Sequence, residues 1–130
     1  MLGHRRKYKA LSITKFILFP IFIFTGFKVL SADKFDKISD KDVFLEIVEG
    51  TTLVRPLIKL VVQNDGSISG KAAFLLVNGN WFWDNELFCR TLFWGERDLG
   101  LNCQLVEYSG KILRFTADEG AGAFADFTIE

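Results

Sequence analysis

Residues 79–104, GNWFWDNELFCRTLFWGERDLGLNCQ, hold all three tryptophans and both cysteines of a 130-residue chain. A hairpin centred on Glu96 places Cys89 directly opposite Cys103 and Leu87 opposite Leu105. That register predicts two long antiparallel strands joined by a disulfide. It also raises a question about the crowded aromatics: they either pack a small core or line a binding site.

Working outward, the neighbouring turns suggest a register for the rest of the chain. Asn78-Gly79 matches a two-residue type I′ turn and sets Leu76 against Trp81, Phe74 against Trp83 and Lys71 against Glu86. QNDGS (63–67) fits a three-residue loop with Gly66 left-handed, pairing Val62 with Ile68 and Ile58 with Ala72. The same register puts Lys59 beside Lys71, with Glu86 expected to screen them. YSGK (108–111) fits another such loop, pairing Leu105 with Leu113 and Cys103 with Phe115. A last hairpin pairs Leu113 with Phe127 and Arg114 with Asp126.

Together these turns put Phe74, Trp81, Trp83, Leu87, Cys89, Cys103, Leu105, Leu113, Phe115 and Phe127 on one face. The fold predicted is mainly β: a six-stranded antiparallel meander closing into a small barrel or half-barrel. Gly70, in mid-strand, suits a place where the sheet curls. Leu75, Phe82, Phe88, Val106 and Ile112 fall on the opposite face, which a helix or a second subunit of a homo-oligomer would cover.

A helix precedes the strands. Ser39 serves as N-cap, Asp42 takes the capping-box position, and Ile38 with Val43 forms a hydrophobic staple. Val43, Phe44, Ile47 and Val48 give one apolar stripe, which Gly50 ends.

Charge is segregated along the chain. Residues 1–32 hold six basic residues and no acidic one, so residues 33–130 have a formal charge of −6 although the chain sums to zero. A basic start, HRRKYK (4–9), leads into the apolar FILFPIFIFTGF (16–27) and the small-residue zone VLSA (29–32). This is the pattern of a secretory signal peptide cleaved after Ala32 or Ser31, leaving one periplasmic or secreted domain, 33–130. The apolar run is shorter than the roughly 20 residues a membrane span needs, and Pro20 interrupts it, so no span is expected after cleavage. The rival reading is an uncleaved anchor. In an exported protein the two cysteines are expected to form a disulfide. A zinc site would lack ligands, because the sole histidine, His4, lies in the leader.

Chemical motifs are sparse. GAGAFA (120–125) matches the letters G-x-G-x-x-A, but too few residues follow for the helix and second strand a dinucleotide site requires. Residues 33–130 contain no histidine to act as a base for a nucleophile. Asp84 and Glu86 share a strand face and are the pair on which a carboxylate-based enzyme would rely. ADEGAG (117–122) lacks the alternating ligands of a calcium loop. An acidic exported domain with no basic stripe does not suit nucleic acid. The candidate ligand wall is Phe74, Trp81, Trp83 and Asn85, turned into the barrel. Arg90, Trp94 and Arg97 form a candidate interaction patch at the hairpin end.

The C-terminal half, in GNWFWDNELFCR (79–90), DLGLNCQ (98–104) and LRFTADEGAGAF (113–124), resembles a group of small exported alphaproteobacterial proteins of unknown function. Members often carry the label dihydrodipicolinate reductase. The reductase of that name is a two-domain nucleotide-binding enzyme, from which this chain departs in length, compartment and fingerprint context. The resemblance implies an exported, disulfide-containing protein and transfers no catalytic residue. The expectation is therefore a periplasmic β-domain without cofactor or metal, binding a small molecule or an envelope protein. The alternatives are a carboxylate-based enzyme and an envelope-associated structural subunit.

Overall fold

The computed structural model describes residues 34–130, together with Gly3 and Gly26. The remainder of the predicted leader, His4 included, lies outside the described residues. After a two-residue strand β1 (Asp36–Lys37) and one helix α1 (Lys41–Val48) come eight strands. They are β2 (Leu53–Arg55), β3 (Ile58–Val62), β4 (Ser67–Ala72), β5 (Leu75–Asp84), β6 (Leu87–Trp94), β7 (Arg97–Ser109), β8 (Ile112–Thr116) and β9 (Phe124–Ile129). Each pairs antiparallel with the next, and β9 returns to β2 through Leu53 opposite Ile129, so the meander closes into an eight-stranded barrel. Closure leaves no open sheet edge along the ring.

The predicted class therefore holds, with eight barrel strands in place of six. One strand, β2, has no counterpart in the register read from the turns. It turns into β3 through Pro56-Leu57, where Leu57 has φ 65°, as the third position of a type II turn requires. The other difference is a displaced turn. Asn78-Gly79 lies inside β5, and the chain reverses instead at Ala73-Phe74 (φ 45° and 72°) and at Asn85-Glu86 (φ 50° and 65°). Ala72 therefore faces Leu75, Lys71 faces Leu76, and Trp83 faces Phe88. Gly79 is needed for a different reason: a Cβ there would lie 2.0 Å from the Thr91 carbonyl oxygen on β6. Gly70 meets the same constraint, 2.0 Å from the Lys59 carbonyl oxygen, in keeping with its predicted place at a curl of the sheet.

Several registers are as expected. Val62 faces Ile68, Ile58 faces Ala72, and Lys59 faces Lys71 around a turn with Gly66 at φ 91°. Asp65 secures that turn by accepting hydrogen bonds from the Ser67 amide (2.9 Å) and hydroxyl (2.7 Å). Leu113 faces Phe127 and Arg114 faces Asp126. Cys89 faces Cys103 and is bonded to it. The β6–β7 turn itself is Gly95-Glu96, and an irregularity between Thr91 and Phe93 supplies the extra β7 residue that brings the cysteines opposite each other. The YSGK register is corrected: a two-residue turn at Gly110-Lys111 pairs Tyr108 with Leu113 and Val106 with Phe115.

These shifts re-sort the two faces. Phe88 and Val106, expected outside, are core residues. Cys89 lies beside the half-exposed Phe82, so the disulfide joins the strands on the outer wall and not among the inward rings. Helix α1 closes one end of the barrel. Its N-cap is Asp40, one residue later than expected, which accepts from the Asp42 amide at 2.8 Å. Ser39 instead offers its carbonyl oxygen to Trp83 Nε1 at 3.3 Å. Val43 points outward, and Phe44 with Val48 forms the buried stripe. Phe44 is fully buried, with its ring centroid 5.2–5.5 Å from those of Trp81, Trp83 and Phe88. An aromatic plug of this kind contributes through buried area and through edge-to-face contacts.

Candidate functional site in the barrel

The barrel is filled at one end and hollow at the other. Beyond the plug lies a cavity of about 600 Å³ that runs toward the Pro56-Leu57 and Ala73-Phe74 turns, the start of β7 and the β8–β9 connection. This volume is within the ~300–1,000 Å³ usual for small-molecule sites. One wall is aliphatic, built from Leu53, Leu60, Val62, Ile68 and Ala72 on β2–β4. The alternation that makes a strand half-buried puts every second residue of β6 on the facing wall: Phe88, Arg90, Leu92 and Trp94.

Polarity inside is confined to a few groups. Arg90 is half-buried, and its Nη1 donates to the Gly100 carbonyl oxygen at 2.9 Å. Burial pulls its guanidinium below the ordinary arginine value. Gln104, opposite Phe88 on β7, lines the same wall. Arg55 stands at the mouth, its guanidinium 5.6 Å from the centre of the Phe127 ring. Trp94 lines the cavity while its Nε1 donates to the Ala72 carbonyl oxygen at 2.8 Å, which ties β6 to β4 near the mouth.

The rim is unusually apolar. Phe74 is 95% exposed and Leu57 is 74% exposed, both at turn tips with left-handed backbone. Phe124 at the start of β9 is 58% exposed. Contiguous exposed apolar groups around an opening are a feature of binding mouths and interaction sites.

The predicted ligand wall is dispersed by the true register. Phe74 sits on the rim, and Asn85 occupies the β5–β6 turn at the plugged end. Trp81 and Trp83 do pack inward, but against Phe44 of the helix at the plugged end, and neither lines the cavity. Trp81 Nε1 is occupied by the Gln63 carbonyl oxygen at 2.7 Å. The predicted patch also divides: Arg90 and Trp94 line the interior, and Arg97 is exposed beside the Gly95-Glu96 turn. Arg55, Gln104, Leu53 and Leu60 join the site without any signal in the turn-based register, whereas Val62, Ile68 and Ala72 were placed in it as strand partners only. A turn at 85–86, with Asn85 as its one conventional residue, would have placed Phe88 and Arg90 inward.

The other motifs resolve structurally. Glu86 does not screen Lys71 but pairs with Lys37 at 2.8 Å, in the turn that follows Asp84. Asp118 exchanges two hydrogen bonds with Asn102, at 2.8 and 3.1 Å. GAGAFA leads into strand β9, with no helix to present its amides to a phosphate. Among the described residues no helix is long and apolar enough to cross a membrane.

Fold and cavity together define the class: a closed eight-stranded up-and-down antiparallel barrel, plugged at one end and hollow at the other. Compared with protein-family models, curated proteins and solved structures, the chain matches none.

Proposed function

We propose that this is an exported, non-enzymatic domain that binds a small apolar molecule inside the barrel. The supporting observation is the cavity of about 600 Å³, walled by Leu53, Leu60, Ile68, Leu92 and Phe127. Burying apolar ligand surface against such walls is favourable by about 25 cal/mol per Å². The disulfide supports an oxidising compartment, and the leader-like residues 1–32 supply the route. The test is fluorescence of N-phenylnaphthylamine, a neutral apolar probe. Saturable enhancement that is lost in Leu92→Trp, where the larger ring occupies the cavity, supports the reading. No enhancement with the folded protein overturns it.

A second reading, a contact site for an envelope protein, is favoured by Leu57 and Phe74 at the rim. It predicts that Phe74→Ser, at a residue outside the cavity lining, abolishes partner co-purification and leaves probe binding intact.

A further inference from the structure

We propose that the barrel selects an aliphatic carboxylate, with the alkyl chain on the β2–β4 wall and the head group on Arg90. The inference rests on the small-molecule reading above and specifies its ligand class.

The charge distribution is the first argument. Residues 33–130 have a formal charge of −6, yet among the described residues the only charged side chains lining the cavity are two arginines, Arg55 and Arg90. An acidic domain that reserves its interior for cations sets up a local field of the opposite sign to its surface.

The second argument is that Arg90 has no charge partner within the described residues. Among the described residues Lys34, Lys37 and Arg114 form salt bridges, and of the cations that form none only Arg55 and Arg90 are half-buried, both against the cavity. Among the described residues no carboxylate forms a salt bridge with Arg90, and its side-chain hydrogen bond goes to a neutral carbonyl oxygen. Asp118, on the connection that packs beside β7, is engaged by Asn102. No buried side-chain nitrogen in the described residues is left without a partner, so the remaining Arg90 donors are not sealed inside protein. Arg90 itself lines the cavity.

Geometry then points to the ligand. A half-buried guanidinium in an apolar enclosure carries a desolvation cost that an arriving anion offsets. Its planar fork matches a carboxylate in bidentate fashion, and Gln104 on the same wall adds a neutral donor. Facing them are the aliphatic side chains of Leu53, Leu60 and Ile68, which suit an alkyl chain and offer no polar group. Arg55 at the mouth draws anions toward the entrance.

The experiment displaces N-phenylnaphthylamine from the purified full chain with three amphiphiles of equal chain length: dodecanoate, dodecanol and dodecyltrimethylammonium. The result expected is dodecanoate binding at least about tenfold more tightly than dodecanol, with the cation weakest, as a charge-assisted pair implies. Arg90→Met, which replaces the charge with an apolar side chain, is expected to bring dodecanoate and dodecanol to equal affinity, each corrected for the probe's own affinity measured in that variant. Arg90→Lys is expected to retain part of the preference. Equal affinity of dodecanoate and dodecanol in the unaltered protein overturns the inference and leaves apolar binding standing. A dodecanoate preference that survives Arg90→Met overturns it as well. If neither the probe nor any amphiphile binds, the small-molecule reading itself falls, and this inference with it.

Discussion

Phe44 of the helix meets Trp81 of the barrel nearly edge-on, with ring centroids 5.5 Å apart and planes at 70°. The contact joins helix α1 to the sheet and sets where the barrel stops being solid. Trp81, Phe88 and Phe115 surround the same ring, and Phe88 and Phe115 also line the cavity. Phe44→Ala is expected to cost about 3–5 kcal/mol, the range for removing a fully buried phenylalanine, measured by urea unfolding. Phe44→Leu should cost clearly less. Equal, small losses for both would show that the helix does not plug the barrel.

The Cys89–Cys103 bond closes a loop of 14 residues' separation on the outer wall. Because the register is already set by the strand pairing, its main effect is on the unfolded chain. Cys89→Ala with Cys103→Ala should lower stability by about 3 kcal/mol while the folded circular dichroism spectrum is kept. Reduction of the native protein should lower its melting temperature by a similar free energy.

Two strand glycines and one turn position should respond in opposite directions. Phe74 is 95% exposed with φ 72°, so Phe74→Gly relieves left-handed strain of about 1 kcal/mol and raises the melting temperature. Gly70→Ala and Gly79→Ala drive a Cβ to 2.0 Å from a backbone oxygen on the adjoining strand. Neither backbone can yield cheaply, and both variants are expected to unfold or lose several degrees of melting temperature. Thermal melts of the three variants side by side check the contrast.

Arg114 holds Asp126 through two hydrogen bonds, Nε to Oδ1 at 2.8 Å and Nη2 to Oδ2 at 3.0 Å. These bonds, reinforced by the charge of Arg114, keep the Asp126 carboxyl below its ordinary range. A carboxyl depressed in the folded state stabilises fully above its unfolded value, and that contribution is lost as pH falls through the folded one. Asp126→Asn should therefore lower the melting temperature by a few degrees at neutral pH and make no difference once the pH lies well below the carboxylate range. Both side chains are partly exposed, so the effect should also shrink in high salt.

Local chemistry made much of the sheet legible. The Gly66 turn, the Arg114–Asp126 pair and the cysteine register all follow from turn residues and cross-strand charge. Two reversals were not legible. Ala73-Phe74 carries no turn residue at all, and at Asn85-Glu86 only the asparagine suggests left-handed backbone. Asn78-Gly79, the strongest hairpin signal in the chain, is overridden because Gly79 serves a close strand approach inside β5. That one displacement moves Phe74 and Asn85 out of the candidate site and brings Arg90 into it.

The class was legible from the residues alone: an antiparallel meander with a preceding helix, curled at Gly70 and joined by Cys89 and Cys103. Alternation, turn chemistry and cysteine placement are local or pairwise, and they survive without knowledge of the whole. Which rings pack around the helix and which charges face a cavity depended on closure of the barrel. Inside and outside of a strand exchange with a shift of one residue, and that shift is set by closing eight strands around Phe44. The hollow end exists because the helix plugs only one mouth, a consequence of length and packing that no single stretch of residues encodes.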